Sequence, residues 1–185
     1  FYKNGHVLPK AGKGIKMLDC TLEQNEGFIL SSKASMHSIE IYNCIFKANT
    51  APLGKGLFYF KSFQPSPMIM GVFNSQFIEN RLPKGAIIQC NLSNGKGHKI
   101  DFEDNELLDN EGKILFCTLE NRAELILKHH NYVSAGIKCE DVYAAESGTA
   151  MTYLGKEEFP QFCEGIAIYC KSANVHFKEE LGIFL

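Results

Sequence analysis

Short apolar runs recur along the chain, each opened by a glycine that follows a polar break. FILS follows Gly27, LFYF follows Gly56, AIIQ follows Gly85 and KILF follows Gly112, and IKCE, IAIY and IFL follow Gly136, Gly165 and Gly182. The glycines are separated by 29, 29, 27, 24, 29 and 17 residues. Periods of about 20 to 50 residues mark solenoids, propellers and arrays. The third position of each run, Leu30, Tyr59, Ile88, Leu115, Cys139, Ile168 and Leu185, is apolar throughout, and the first position is apolar in all copies except Lys113. Strand side chains alternate between faces, so first and third positions share a buried side. The runs therefore read as short strands with a common inward face.

A second column lies upstream. Leu22, Phe46, Phe77, Leu107, Tyr132 and Phe177 stand three residues before Asn25, Asn49, Asn80, Asn110, Ala135 and Glu180. Asn tolerates the left-handed conformation and its amide bonds nearby backbone, so the four asparagines are expected at a bend between two strands. The segments before them, such as HSIEIYNCIF, MGVFNSQF and HKIDF, alternate with period two. Only NRAELILKHH, residues 121–130, has a helical look, and the repeat register places a strand there. Each period then holds two or three short strands separated by polar corners. That pattern predicts an all-β parallel β-helix of about six to seven coils stacked at ~4.8 Å. A propeller blade needs about 40 residues, and a sandwich has no fixed glycine register, so both fit less well.

The FxxN phrases at Phe46–Asn49 and Phe77–Asn80, paired with Gly-apolar-x-apolar runs from about Leu18 to Leu185, resemble polymorphic outer-membrane protein repeats within the pectin-lyase-like superfold. A single Gly stands where that family often has two, and HHNYVSAGIKC has neither Phe nor Asn in the matching slots. The resemblance implies a right-handed coil, in keeping with the hand of parallel crossovers. It also implies a passenger-like stalk for adhesion or assembly at a cell surface or outside the cell, with no catalytic residues to carry over.

Composition narrows the partners. The chain has 185 residues, 45% hydrophobic, enough for one segment spanning 1–185. Its 19 basic and 21 acidic residues are interspersed for a net charge of −2, which offers nucleic acid no basic stripe. The apolar runs are strand-sized, well short of the roughly 20 residues of a membrane-spanning helix, so no membrane span is expected. The start at Phe1, without Met or a signal-peptide core, suggests a piece of a longer chain.

Candidate chemistry is sparse. Asp101, Glu103, Asp104, Glu106 and Asp109 form an acidic cluster without the spacing of a dedicated calcium loop, and a solvated turn is the plainer reading. Asp19 shares a column with Asn43, and Asn74 with Asp104, but no column read this way gathers acidic residues in adjacent coils beside Arg81 or Arg122. No catalytic, cofactor or metal residue is therefore assigned. His129 and His130 are adjacent and point to opposite faces of a strand.

Cysteine placement speaks to stacking. Cys90 and Cys117 each fall five residues after their Gly, and Cys20 and Cys44 five before their Asn. Column mates in adjacent coils lie within the roughly 4.4 to 6.8 Å that a disulfide accepts, so each pair is either a disulfide or two stacked thiols. Asn91-Leu92-Ser93 is a glycosylation sequon expected at an exposed corner of a secreted chain. Residues 140–164 keep the glycine interval but lack FxxN, and read as a divergent coil or a loop excursion. Tyr143, Tyr153, Phe159 and Phe162 there are candidate partner contacts or coil interior. A solenoid leaves open sheet edges, so protein partners meeting end to end are expected, with Gly182–Leu185 covered by a neighbour.

Three functions follow: a non-catalytic structural or adhesive scaffold at a cell surface or in an extracellular assembly, a carbohydrate-active β-helix enzyme, and an intracellular scaffold subunit of a large complex. Convergent charges in one groove would favour the enzyme. Free thiols at Cys90 and Cys117 would favour the intracellular scaffold.

Overall fold

The computed structural model describes residues 2–3, 14–32, 38–62, 67–93, 97–120 and 123–133, and the strand segments 143–146, 151–158, 168–171 and 175–177. No helix forms among them, and every strand pairing is parallel.

The chain winds through three legs. The first contains β1 (Gly14–Leu18), β4 (Ser38–Tyr42), β7 (Ile69–Phe73), β10 (His98–Leu108), β12 (Leu125–Val133), β14 (Met151–Glu158) and β16 (Val175–Phe177), hydrogen-bonded in that order. The second contains β2 (Thr21–Glu23), β5 (Ile45–Lys47), β8 (Gln76–Ile78) and the C-terminal part of β10. The third contains β3 (Leu30–Ser32), β6 (Phe58–Ser62), β9 (Arg81–Ser93), β11 (Glu111–Glu120), β13 (Tyr143–Glu146) and β15 (Ile168–Lys171). Sequential strands thus never pair with each other but with their counterparts one coil away. That is a parallel β-solenoid, of about four turns rather than the six to seven expected. Gly136, Gly165 and Gly182, three of the seven glycines behind that expectation, lie outside the described residues.

The inward columns form one core. Leu22, Phe46, Phe77 and Leu107 stack in the second leg, all fully buried, as their spacing predicts. Phe46 and Phe77 lie nearly parallel with ring centroids 4.8 Å apart, the spacing of adjacent strands. Phe58 meets both rings edge-on from the third leg. In the first leg Ile39, Met70, Ile100 and Leu127 share a column, and Ile41, Val72 and Phe102 the next inward one.

Register corrects four positions. Phe58, not Tyr59, stands with Leu30, Ile88 and Leu115, because the run after Gly56 is one residue shorter on the way to its strand. Tyr59 faces outward, stacked on Phe28 with Lys55 over its ring. Tyr143, not Cys139, continues that column. Val133, not Tyr132, pairs with Leu107, and Tyr132 is half exposed. Phe177 pairs with Tyr153 in the first leg, not with the second-leg column. In the one helix-like stretch, 121–130, residues 125–130 lie in strand β12.

Two glycines show what the opening position requires. Gly112 has a φ of 113°, a conformation that side chains resist, and a Cβ there would lie 2.8 Å from the Leu82 carbonyl oxygen. At Gly85 a Cβ would collide with the Lys55 carbonyl. The glycine lets one coil press against the backbone of its neighbour as it enters the third leg.

Candidate functional site

The polar residues concentrate at two corners. At the second-to-third-leg corner, Gln24, Ala48, Glu79 and Asp109 have φ between 51° and 54°. These residues make the left-handed bend, and not the asparagines that follow them. The bend turns the next side chain inward, so Asn25, Asn49, Asn80 and Asn110 are buried.

There they form a ladder. Asn25 Nδ2 donates to Asn49 Oδ1 at 2.9 Å, Asn49 Nδ2 to Asn80 Oδ1 at 3.0 Å and Asn80 Nδ2 to Asn110 Oδ1 at 2.8 Å. Each oxygen also accepts the backbone N–H of the previous asparagine, at 3.0 to 3.1 Å. The second amide hydrogen reaches back to a carbonyl: Asn49 to Leu22, Asn80 to Phe46 and Asn110 to Phe77. A buried amide is costly unless bonded, and here the interior ones bond through both hydrogens and both lone pairs.

The first-to-second-leg corner repeats the device with changing residues. Asp19, Asn43, Asn74 and Asp104 make the left-handed bend, and Cys20, Cys44, Ser75, Asn105 and Asn131 follow in the inward slot. The Cys44 N–H donates to Ser75 Oγ, the Ser75 N–H to Asn105 Oδ1 and the Asn105 N–H to Asn131 Oδ1, each at 3.0 to 3.1 Å. Asn131, in the copy that departs from FxxN, belongs to this ladder.

A groove of about 560 Å³ runs beside the asparagine corner, lined by Gln24, Ala48, Glu79, Arg81, Asp109 and Glu111 among others. Glu79 and Asp109 hold one column in adjacent coils, while Arg81 pairs in register with Glu111 in the next. This corrects the expectation that no column sets acidic residues of adjacent coils beside an arginine. Glu79 and Asp109 each precede a ladder asparagine, a signal readable once the column is shifted by one.

The acidic stretch does not converge. Asp101 pairs with Lys99 at 2.6 Å, Glu103 with Lys128 at 2.9 Å and Asp104 with His130 at 3.4 Å. Glu106 accepts from Gln76, and Asp109 is at the other corner. The hydrogen bond to Glu103 raises the pKa of the Lys128 ammonium. Among the described residues no group of three or more His, Cys, Asp or Glu could hold a metal ion.

Cys90 and Cys117 form a disulfide between adjacent coils, with Cα atoms 4.8 Å apart, whereas Cys20 and Cys44 are free thiols. Cys117, Ala145 and Cys170 continue the register of that column. Asn91 is not at a corner but within β9, half-buried between Lys61 and Thr118, with Oδ1 buried and unbonded. Tyr143 and Tyr153 fall in register with the inward residues Leu115 and Leu127. Phe159, Phe162 and Gly182–Leu185 lie outside the described residues. No described helix is long and apolar enough to cross a membrane. No family model, curated protein or solved structure matches the chain.

Proposed function

We propose that this chain is a non-catalytic structural or adhesive scaffold, a right-handed β-helix segment working at a cell surface or in an extracellular assembly with protein partners along its length or at its ends. The observation that carries this reading is that the repeated polar residues are spent inside the solenoid. Asn49 and Asn80 bond coil to coil through both hydrogens and both lone pairs, which fits them for holding shape and leaves no reacting group. The Cys90–Cys117 disulfide suits an oxidising compartment, and the resemblance to polymorphic outer-membrane protein repeats points the same way.

Labelling of intact producing cells with a membrane-impermeant amine reagent tests this, followed by mass spectrometry of the unreduced chain. The scaffold reading expects surface lysines such as Lys16 and Lys128 labelled from outside, with Cys90 linked to Cys117. Labelling only after lysis, with both thiols free, would instead support the intracellular scaffold.

One observation favours a second reading, a carbohydrate-active enzyme. Glu79, Asp109 and Glu111 flank Arg81 along an open groove, the kind of arrangement in which one carboxyl protonates a leaving oxygen while another acts as base. Polysaccharide breakdown by the purified chain, abolished in Glu79→Gln and Asp109→Asn, would establish it. Turnover unaffected by both substitutions would remove it.

A further inference from the structure

We infer that Cys20 and Cys44 are a redox staple, which a disulfide-bearing oxidant closes into a second cross-coil bond tying the β1–β3 coil to the next. The two residues occupy the inward slot of the first corner in successive coils, with Thr21 in register with Ile45 and the Cys20 carbonyl accepting the Ile45 N–H at 2.8 Å. One coil step is also what separates Cys90 from Cys117, already joined across a Cα distance of 4.8 Å. That distance lies within the roughly 4.4 to 6.8 Å a disulfide spans.

Orientation agrees. Each thiol donates to the carbonyl two residues back, Cys20 to Leu18 and Cys44 to Tyr42, both at 3.2 Å, so the two side chains leave successive coils in the same direction. The slot itself demands only a side-chain acceptor close to the backbone, since serine and asparagine fill it in later coils. Cysteine in both of the first two coils is more than that role requires.

Exposure sets the order of events. Cys20 is partly exposed and Cys44 buried. Burial raises the pKa of the Cys44 thiol, while the backbone N–H of Cys20 acts in the opposite sense. The Cys20 thiolate attacks one sulfur of the oxidant, a small-molecule disulfide, forming a mixed disulfide and releasing one thiolate. Cys44 then loses its proton to solvent and its sulfur attacks Cys20 Sγ, expelling the second thiolate. Two protein thiols are oxidised and one oxidant disulfide is reduced to two thiols.

The test equilibrates the full chain with mixtures of oxidised and reduced glutathione, quenches with a thiol alkylator and digests without reduction. The inference expects a peptide pair linked through Cys20 and Cys44, with both residues losing alkylation together. It also expects amide exchange at Ile45 to slow by about tenfold on closure. In Cys44→Ser, Cys20 should accumulate as the glutathione mixed disulfide; should that variant not fold, the linked peptide of the unaltered chain decides alone. Separate glutathionylation of the two residues, a disulfide between copies, or both thiols still alkylated where Cys90–Cys117 is fully closed would overturn it.

Discussion

Asn80 donates from Nδ2 to Asn110 Oδ1 at 2.8 Å, and the same oxygen accepts the Asn80 backbone N–H at 3.1 Å. A single atom of one coil thus satisfies two donors of its neighbour. The repeated asparagine is therefore the fastening between coils, as well as the residue that follows the bend.

Replacing Asn80 tests that fastening. Asn80→Ala removes the acceptor for the Asn49 backbone and side-chain N–H groups and the donor to Phe46, and should cost about 3 kcal/mol in urea unfolding. Asn80→Asp keeps an acceptor but, when ionised, buries a charge and cannot donate. Its folded-state pKa should be raised, so the variant's stability is best at low pH and falls as pH rises through that value. Equal loss at pH 4 and pH 7 would contradict the ladder.

Phe77 is sandwiched between Phe46 and Phe102 and meets the edge of Phe58. Phe77→Ala should cost about 3 to 5 kcal/mol through the cavity it leaves. Phe77→Leu should cost under about 1.5 kcal/mol, since Leu22 and Leu107 already fill that column. Chemical denaturation midpoints of the two variants measure the difference.

Gly85 presses against the backbone of Lys55, which cannot swing away as a side chain would. Gly85→Ala should destabilise by more than about 1 kcal/mol, against the small gain the same change gives at an unconstrained site. A thermal melt of the variant reads this directly.

His98 is fully buried, with Nδ1 accepting the Met68 N–H at 3.0 Å and Nε2 unbonded. Burial lowers its pKa from the ordinary 6.5. The native state then holds fewer protons than the unfolded chain, so stability is full above about pH 6.5 and declines as pH falls toward the lowered value. His98→Asn, which can still accept from Met68, should flatten this part of the stability profile between pH 7 and 5.

Much of the fold was legible because its main requirement is one residue type at one slot. Leu22, Phe46, Phe77 and Leu107 are large and apolar in four successive coils, and the four asparagines share a single geometry. Tyr59 misled because its coil reaches the strand one residue early, and a one-residue slip moves a side chain to the other face. The first-corner ladder stayed hidden because Cys44, Ser75, Asn105 and Asn131 satisfy one requirement, an acceptor near the backbone, with three residue types. The groove at Glu79 and Asp109 was missed for a related reason: its residues sit beside the conspicuous asparagine and vary from coil to coil.

The most direct measurement of the central claim, that the recurring asparagine fastens coil to coil, is hydrogen exchange of the side-chain amides by NMR. The ladder predicts Nδ2 hydrogens of Asn49, Asn80 and Asn110 exchanging at least about a hundredfold more slowly than those of the solvent-exposed Asn43 and Asn74. Exchange of all five at the same rate would contradict it.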